Sequence, residues 1–317
     1  MSKEALVRVE HLTRYYSLTC AVDDVSFDLA KGEVLGFLGP NGAGKSSTMQ
    51  IITGNLAPGA GQISIAGIDL LDRPKRAKLE IGYLPEQPPV YRELTVNEYL
   101  YYCAKLNRIP RGQISTAVAT AKERCGLGDV GKRLIGNLSK AYQKRAGIAQ
   151  PIIHSPAVVV LDEPTVGLDP LQIREIRGLI CELGKEHGII LSTHILPEVQ
   201  ATCNRVQIIN RGKLVFADTI TGLEQSMNAT SLIAGFHATP DIAALQQLPG
   251  VDRVEPLADQ RVRIHYNHSN PAETLIEQAV TRRWRLHELS PERRTLEQIF
   301  IDLTCSEEHE TISGVAS

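Results

Sequence analysis

The chain has 317 residues, enough for two domains, and its 43% hydrophobic and 22% charged residues are ordinary for a soluble globular protein. A net charge of −2 supplies no general attraction to nucleic acid or to an acidic membrane surface, so no nucleic-acid partner is expected. The N-terminal MSKEALVRVEH lacks the apolar core of a secretory signal, and runs such as AVVVL fall far short of the ~20 residues a bilayer crossing needs, so if the protein works at a membrane another chain must supply the span.

In chain order, ALVRVEHL and VSFDLAKGEVLGFLG read as strands, the second broken by a turn at Lys31-Gly32. A helix pattern runs from Gly44 to about Thr53, GQISIAGIDL reads as a hairpin and IGYLPE as a short strand. TVNEYLYYCAKL, the segment after Arg111 and the segment after Ser139 read as helices and form a helical subdomain over about 95–155. AVVVLDEP is continuously apolar, as expected of a strand covered on both faces. PLQIREIRGLICELGKEHG reads as an amphipathic helix opened by Pro170, IILSTH as a buried strand, and RVQIINRGKLVFAD as a hairpin turning at Asn210 to Gly212.

The pattern changes after about Met227. SLIAGFHA, DIAALQQL, VDRVEPL, QRVRIHY, AETLIEQAVTRR and WRLHELS read as strand, helix, strand, strand, helix, strand, the order of a small ferredoxin-like α+β domain. The expected division is a first domain over 1–226, a small one over 228–305 with TLEQIFIDL as its closing helix, and a flexible tail over 306–317. Six cysteines, with no C-x-x-C pair, read as reduced thiols and not as a disulfide or metal framework. His265 and His268 in HYNH would face opposite sides of a strand, which argues against chelation. Trp284 in TRRWRL reads as a core residue at a helix end and not as a nucleic-acid platform.

Three stretches carry chemistry. GPNGAGKS fits the phosphate-binding loop G-x-x-x-x-G-K-[ST], between an apolar strand and a helix. Gly39, Pro40, Asn41, Gly42, Ala43 and Gly44 bring backbone N–H groups to phosphates at a helix N-terminus. Lys45 adds a charge for the β- and γ-phosphates, Ser46 a ligand for Mg²⁺, and Ser47 a phosphate contact. Asp162-Glu163 ends the apolar run AVVVL, which suits Asp162 to the nucleotide's Mg²⁺ and Glu163 to the attacking water. His194 ends the next apolar strand and can donate to a γ-phosphate.

Together with LSKAYQ, these stretches resemble the ATP-binding subunits of ABC transporters. The matching residues are Gly39 to Ser47, the signature Leu138 to Tyr142, the acidic strand Leu161 to Glu163, VGLD at 166–169 and His194. They cover about the first 225 residues. The whole chain is most similar to the exporter branch that includes gliding-motility, antibiotic-efflux and sodium-efflux ATPases.

The resemblance implies a P-loop ABC ATPase domain, a mixed sheet with a helical subdomain, followed by the small α+β domain. It implies ATP and Mg²⁺ as cofactors and a separate permease as partner, with the chain peripheral on the cytoplasmic face of the membrane. It also implies a head-to-tail homodimer. There Ser139, Ala141 and Asp169 meet the nucleotide held by the other copy, and Tyr16 stacks on adenine, with Tyr15 as the neighbouring choice.

Two departures stand out. Ala141 replaces a glycine that is nearly the rule. Glu86, followed by Gln87, stands where a glutamine usually reaches Mg²⁺ and water, so both remain candidates. A non-transport ABC ATPase acting on nucleic acid or ribosomes is the other reading, but it needs a long coiled-coil insertion or a second cassette. A GTPase would need N-K-x-D, which NRGK at Asn210 does not fit.

Overall fold

The computed structural model describes residues 5–225, 231–237, 241–267 and 270–292. The chain divides into two units, Met1–Ile220 and Thr221–Ser317.

In the first unit, β1 (Ala5–Tyr16) and β2 (Thr19–Ala30) alternate between buried and exposed side chains, as half-buried strands do. The turn after β2 hands the chain to a different sheet. Here β3 (Val34–Leu38) is buried at every position. The phosphate loop and α1 (Lys45–Ile52) follow, then β4 (Ala60–Ile65), β5 (Ile68–Asp69), the short α2 (Pro74–Ala77) and β6 (Ile81–Leu84).

The helical segment contains α3 (Val96–Leu106), α4 (Arg111–Arg124) and α5 (Lys140–Ile152). Thr95 and Glu98 form a reciprocal cap on α3, satisfying two of its free N-terminal amides. Leu100, Ile114, Val118 and Ile148 join these helices to the main core.

The unit closes with β7 (Val158–Asp162), α6 (Pro170–Leu183), β8 (Gly188–Thr193), α7 (Leu196–Thr202), β9 (Arg205–Asn210) and β10 (Lys213–Thr219). Helix α6 stops short of the amphipathic pattern, because Gly184 lies against Val34 and residues 184–187 turn into β8.

Two sheets result. One is antiparallel in the order β2-β1-β4-β5; the other runs β10-β9-β3-β8-β7-β6. In the second, β3, β6, β7, β8 and β9 are parallel and β10 is the antiparallel edge. Leu38 pairs with Thr193, and Asp162 with Ser192. The carboxyl ends of β3, β8 and β7 therefore lie side by side, the rim where open α/β sheets bind ligands.

Helix α8 (Ile220–Gln225) precedes the second unit's strands. These are β11 (Ser231–Phe236), β12 (Val251–Pro256), β13 (Arg261–Tyr266) and β14 (Leu286–Glu292), with α9 (Ile242–Gln246) and α10 (Ala272–Thr281) between them. The sheet order β12-β13-β11-β14, antiparallel throughout, is the ferredoxin-like arrangement. Leu232, Phe236, Leu245, Ile264 and Leu275 form its core, and Trp284 meets Phe236 edge to face at 6.2 Å. The expected closing helix at TLEQIFIDL, the tail, Cys305 and His268 lie outside the described residues.

Candidate functional site

Close approach by the backbone fixes the phosphate loop. A side chain at Gly39 would start 2.4 Å from the Ile209 carbonyl. At Gly44, where φ is +108°, it would start 2.3 Å from the Ala21 carbonyl, so both positions require glycine. Gly44 is also the N-cap of α1 and supplies no capping side chain. The first amides of α1 are thus left for an anion. The Ala43 carbonyl accepts the Gly212 amide at 2.9 Å, tying the loop to the β9–β10 turn.

Lys45 is only 6% exposed. Its Nζ donates to the carbonyls of Gly39 (2.8 Å) and Pro40 (3.2 Å) and lies 3.7 Å from Glu163 Oε1. Burial pulls its pKa below the usual lysine value, while Glu163 and Asp162 act to raise it. Asp162 is 2% exposed, and its Oδ1 has no protein partner. Burial pushes its pKa above the ordinary carboxylate value, opposed by the Ser192 and Ser46 hydroxyls.

Glu163 sits at φ +49°, a left-handed conformation rare for glutamate. Its amide donates to the Ser192 carbonyl at 2.9 Å. Its Oε1 pairs with His194 Nδ1 at 2.9 Å, and its Oε2 is buried without a partner. Buried polar atoms are nearly always satisfied, so orphaned oxygens on adjacent carboxylates mark a place for something else.

Asn41, Gly42, Gly44, Lys45, Ser46, Ser47, Glu86, Glu163 and His194 line one cavity of about 480 Å³ with Ala21 and Val166. Gly39, Pro40, Ala43 and Asp162 are not in its lining and act from behind it through the contacts above. Gln87 lines an adjoining cavity of about 550 Å³, together with Glu86.

Tyr16, Ser139, Ala141 and Asp169 do not line the phosphate cavity. Tyr16 pairs with Thr19, whereas the Tyr15 side chain meets Cys20. Thr19 lies two residues from the cavity-lining Ala21, so Tyr16 shares that face and Tyr15 the opposite one. Ser139 caps α5 by accepting the Tyr142 amide at 3.4 Å, and Asp169 caps α6 by accepting the Gln172 amide at 2.9 Å. Ala141 is a buried residue of the first turn of α5.

Two charged residues that the motifs did not reveal brace this site. Glu198 on α7, 1% exposed, accepts the hydroxyls of Thr165 (2.6 Å) and Thr193 (3.0 Å). It therefore links the loops that carry Glu163 and His194. Lys144 on α5 donates to the carbonyls of Glu86 (2.9 Å) and Glu163 (3.3 Å). The sequence did hold a signal for Lys144, which shares a helical face with buried Ala141 and Ile148.

The comparisons agree with this geometry. A family model described as "ABC transporter" matches residues 22–166. The bacitracin transport ATP-binding protein BcrA of Bacillus licheniformis is 37% identical over 212 residues, covering 66% of this chain and 68% of that protein. The linearmycin resistance ATP-binding protein LnrL of Bacillus subtilis is 28% identical over 306 residues, 94% of this chain and 98% of that one. The solved structure of cbiO1 from Clostridium perfringens, described as part of the ABC transporter complex cbiONQ, has a TM-score of 0.65 at 29% identity, over 70% of this chain and 91% of that one. A phosphate loop, an acidic pair and a histidine on one sheet rim, together with these relatives, establish that the chain belongs to the ABC transporter ATP-binding proteins, the ATPases that power transport by hydrolysing ATP.

Proposed function

We propose that this chain is the ATPase subunit of an exporter whose membrane span is a separate permease, and that it works as a head-to-tail homodimer. The observation that carries the reading is the orphaned oxygen on each of Asp162 and Glu163, buried beside Lys45 at the phosphate loop. The names of BcrA and LnrL, a bacitracin transport and a linearmycin resistance protein, favour export. Among the described residues no helix is long and apolar enough to cross a membrane. As the ATPase of such a transporter, the chain would sit on the cytoplasmic face of the membrane through its permease.

In this mechanism ATP phosphates draw Lys45 away from the Gly39 and Pro40 carbonyls, while the free amides of α1 cradle them. Ser46 and Asp162 fit Mg²⁺, which supplies charge neutralisation on the β- and γ-phosphates. His194 holds one oxygen of Glu163 and leaves Oε2 to orient and deprotonate the attacking water. Glu86, which lines the cavity, takes the water-side role, and Gln87 sits one residue outside it. Tyr16 stacks on adenine. Exposed Ser139, Ala141 behind it and Asp169 bring two helix N-termini to the nucleotide of the second copy. No observation favours a non-transport ATPase acting on nucleic acid or ribosomes.

Glu163→Gln tests the chemistry. Nucleotide affinity should stay near wild type while turnover falls by about 10²–10⁴-fold, the usual contribution of a general base. Normal turnover in the variant would remove Glu163 from this role.

A further inference from the structure

Lys144 is an unusual residue to bury. It lies on α5, five positions beyond Ser139, and is only 8% exposed. Its ammonium reaches the Glu86 carbonyl at 2.9 Å and the Glu163 carbonyl at 3.3 Å. Those residues follow the carboxyl ends of β6 and β7, which are neighbours in the sheet. One side chain thus joins the helix that starts at the signature, the loop carrying Glu86, and the residue whose carboxylate faces Lys45 and His194.

Glu163 needs such a brace. Its φ of +49° holds only if its surroundings fix it. Its amide is held by the Ser192 carbonyl, and its carbonyl by Lys144. Charge-assisted hydrogen bonds are about twice as strong as neutral ones, so the ammonium suits the task. Burial lowers the Lys144 pKa, while Glu86, Glu163 and Asp162 favour its charged form. Five helical residues span only ~7.5 Å, so a shift of the α5 N-terminus reaches the Glu163 carbonyl through one side chain.

We infer that Lys144 is a positioning residue for hydrolysis: by holding the Glu86 and Glu163 carbonyls it sets the Glu163 carboxylate and couples it to the signature helix. The inference rests on Glu163 being the catalytic carboxylate.

The test compares full-length wild type, Lys144→Met, Lys144→Gln and Glu163→Gln. Steady-state ATP turnover is measured alongside titration with a fluorescent ATP analogue. Methionine keeps the bulk and removes the donor, so kcat should fall about 10²-fold, the scale of a misplaced catalytic group. Nucleotide affinity should stay within about threefold, because the phosphate cradle is untouched. Glutamine, which can donate to one carbonyl, should fall between methionine and wild type.

A Lys144→Met kcat near wild type, with Glu163→Gln inactive, would overturn this inference and leave the proposed function standing. Equal losses of kcat and nucleotide affinity would make Lys144 a general structural support and also overturn it. If the methionine variant does not fold, the glutamine variant is judged by the same split, and failure of both to fold counts against positioning. Normal turnover in Glu163→Gln would instead sink the underlying reading.

Discussion

Ala141 shows what one residue can decide. It lies in the first turn of α5 and is not among the residues with positive φ. Alanine is therefore no burden on the backbone, and it favours a helix over glycine by about 1 kcal/mol. Ala141→Gly should change turnover by no more than about threefold and lower helix stability by up to that 1 kcal/mol. Ala141→Asp should abolish turnover, because Ala141 is buried and a carboxylate there would be desolvated inside the first turn of the signature helix. Steady-state assays of both variants check this. An inactive wild type rescued by Ala141→Gly would mean that the signature is degenerate.

The helical backbone at Ala141 follows from its place two residues after the Ser139 cap. The positive φ of Glu163 was not legible, because it depends on Ser192 and Lys144, which are remote in sequence. The phosphate motif announced its chemistry through spacing. The helical spacing of Lys144 marks only a buried face, and its partners are two carbonyls that no side-chain pattern encodes.

At the scale of elements, the apolar runs AVVVL and IILST read as buried strands and are β7 and β8, while β3, which reads only as an apolar strand, is also buried at every position. The division of β2 and β3 between two sheets was not readable, since pairing partners lie far along the chain. Glu198 shows how elements lock together: from α7 it holds Thr165 beyond β7 and Thr193 at the end of β8. Glu198→Ala removes the acceptor of both buried hydroxyl protons, although Thr193 Oγ1 still accepts the Ile195 amide, and should cost about 2–4 kcal/mol, readable as a lower urea midpoint with ATP absent.

In the second unit, Arg263 from β13 pairs with Glu292 of β14 at 2.6 Å and with Glu255 of β12 at 3.3 Å. These contacts hold both carboxylates below the usual carboxylate range. Lowered folded-state values mean a stabilisation that is complete above the unfolded pKa of about 4.3 and is lost as pH falls through the folded values. Melting temperature measured from pH 6 downward should therefore drop in wild type. Arg263→Met should start lower and lose less across the same range.

At the scale of the molecule, every phosphate motif precedes residue 200, and the division between units falls at Ile220. A chain ending near Ser226 should bind ATP within about threefold of full length, because every residue proposed to hold the nucleotide precedes residue 200. A large loss in a folded truncation would contradict that division of labour. A pull-down from detergent-solubilised membranes should recover a membrane-spanning partner.

The central claim is that the cleft is half a site, completed by the signature helix of a second copy. Sedimentation of full-length Glu163→Gln tests it most directly, with and without ATP and Mg²⁺. The account predicts a monomer without nucleotide and a dimer with ATP, reversed when ATP is replaced by ADP. A variant that binds ATP yet stays monomeric at every concentration would contradict it.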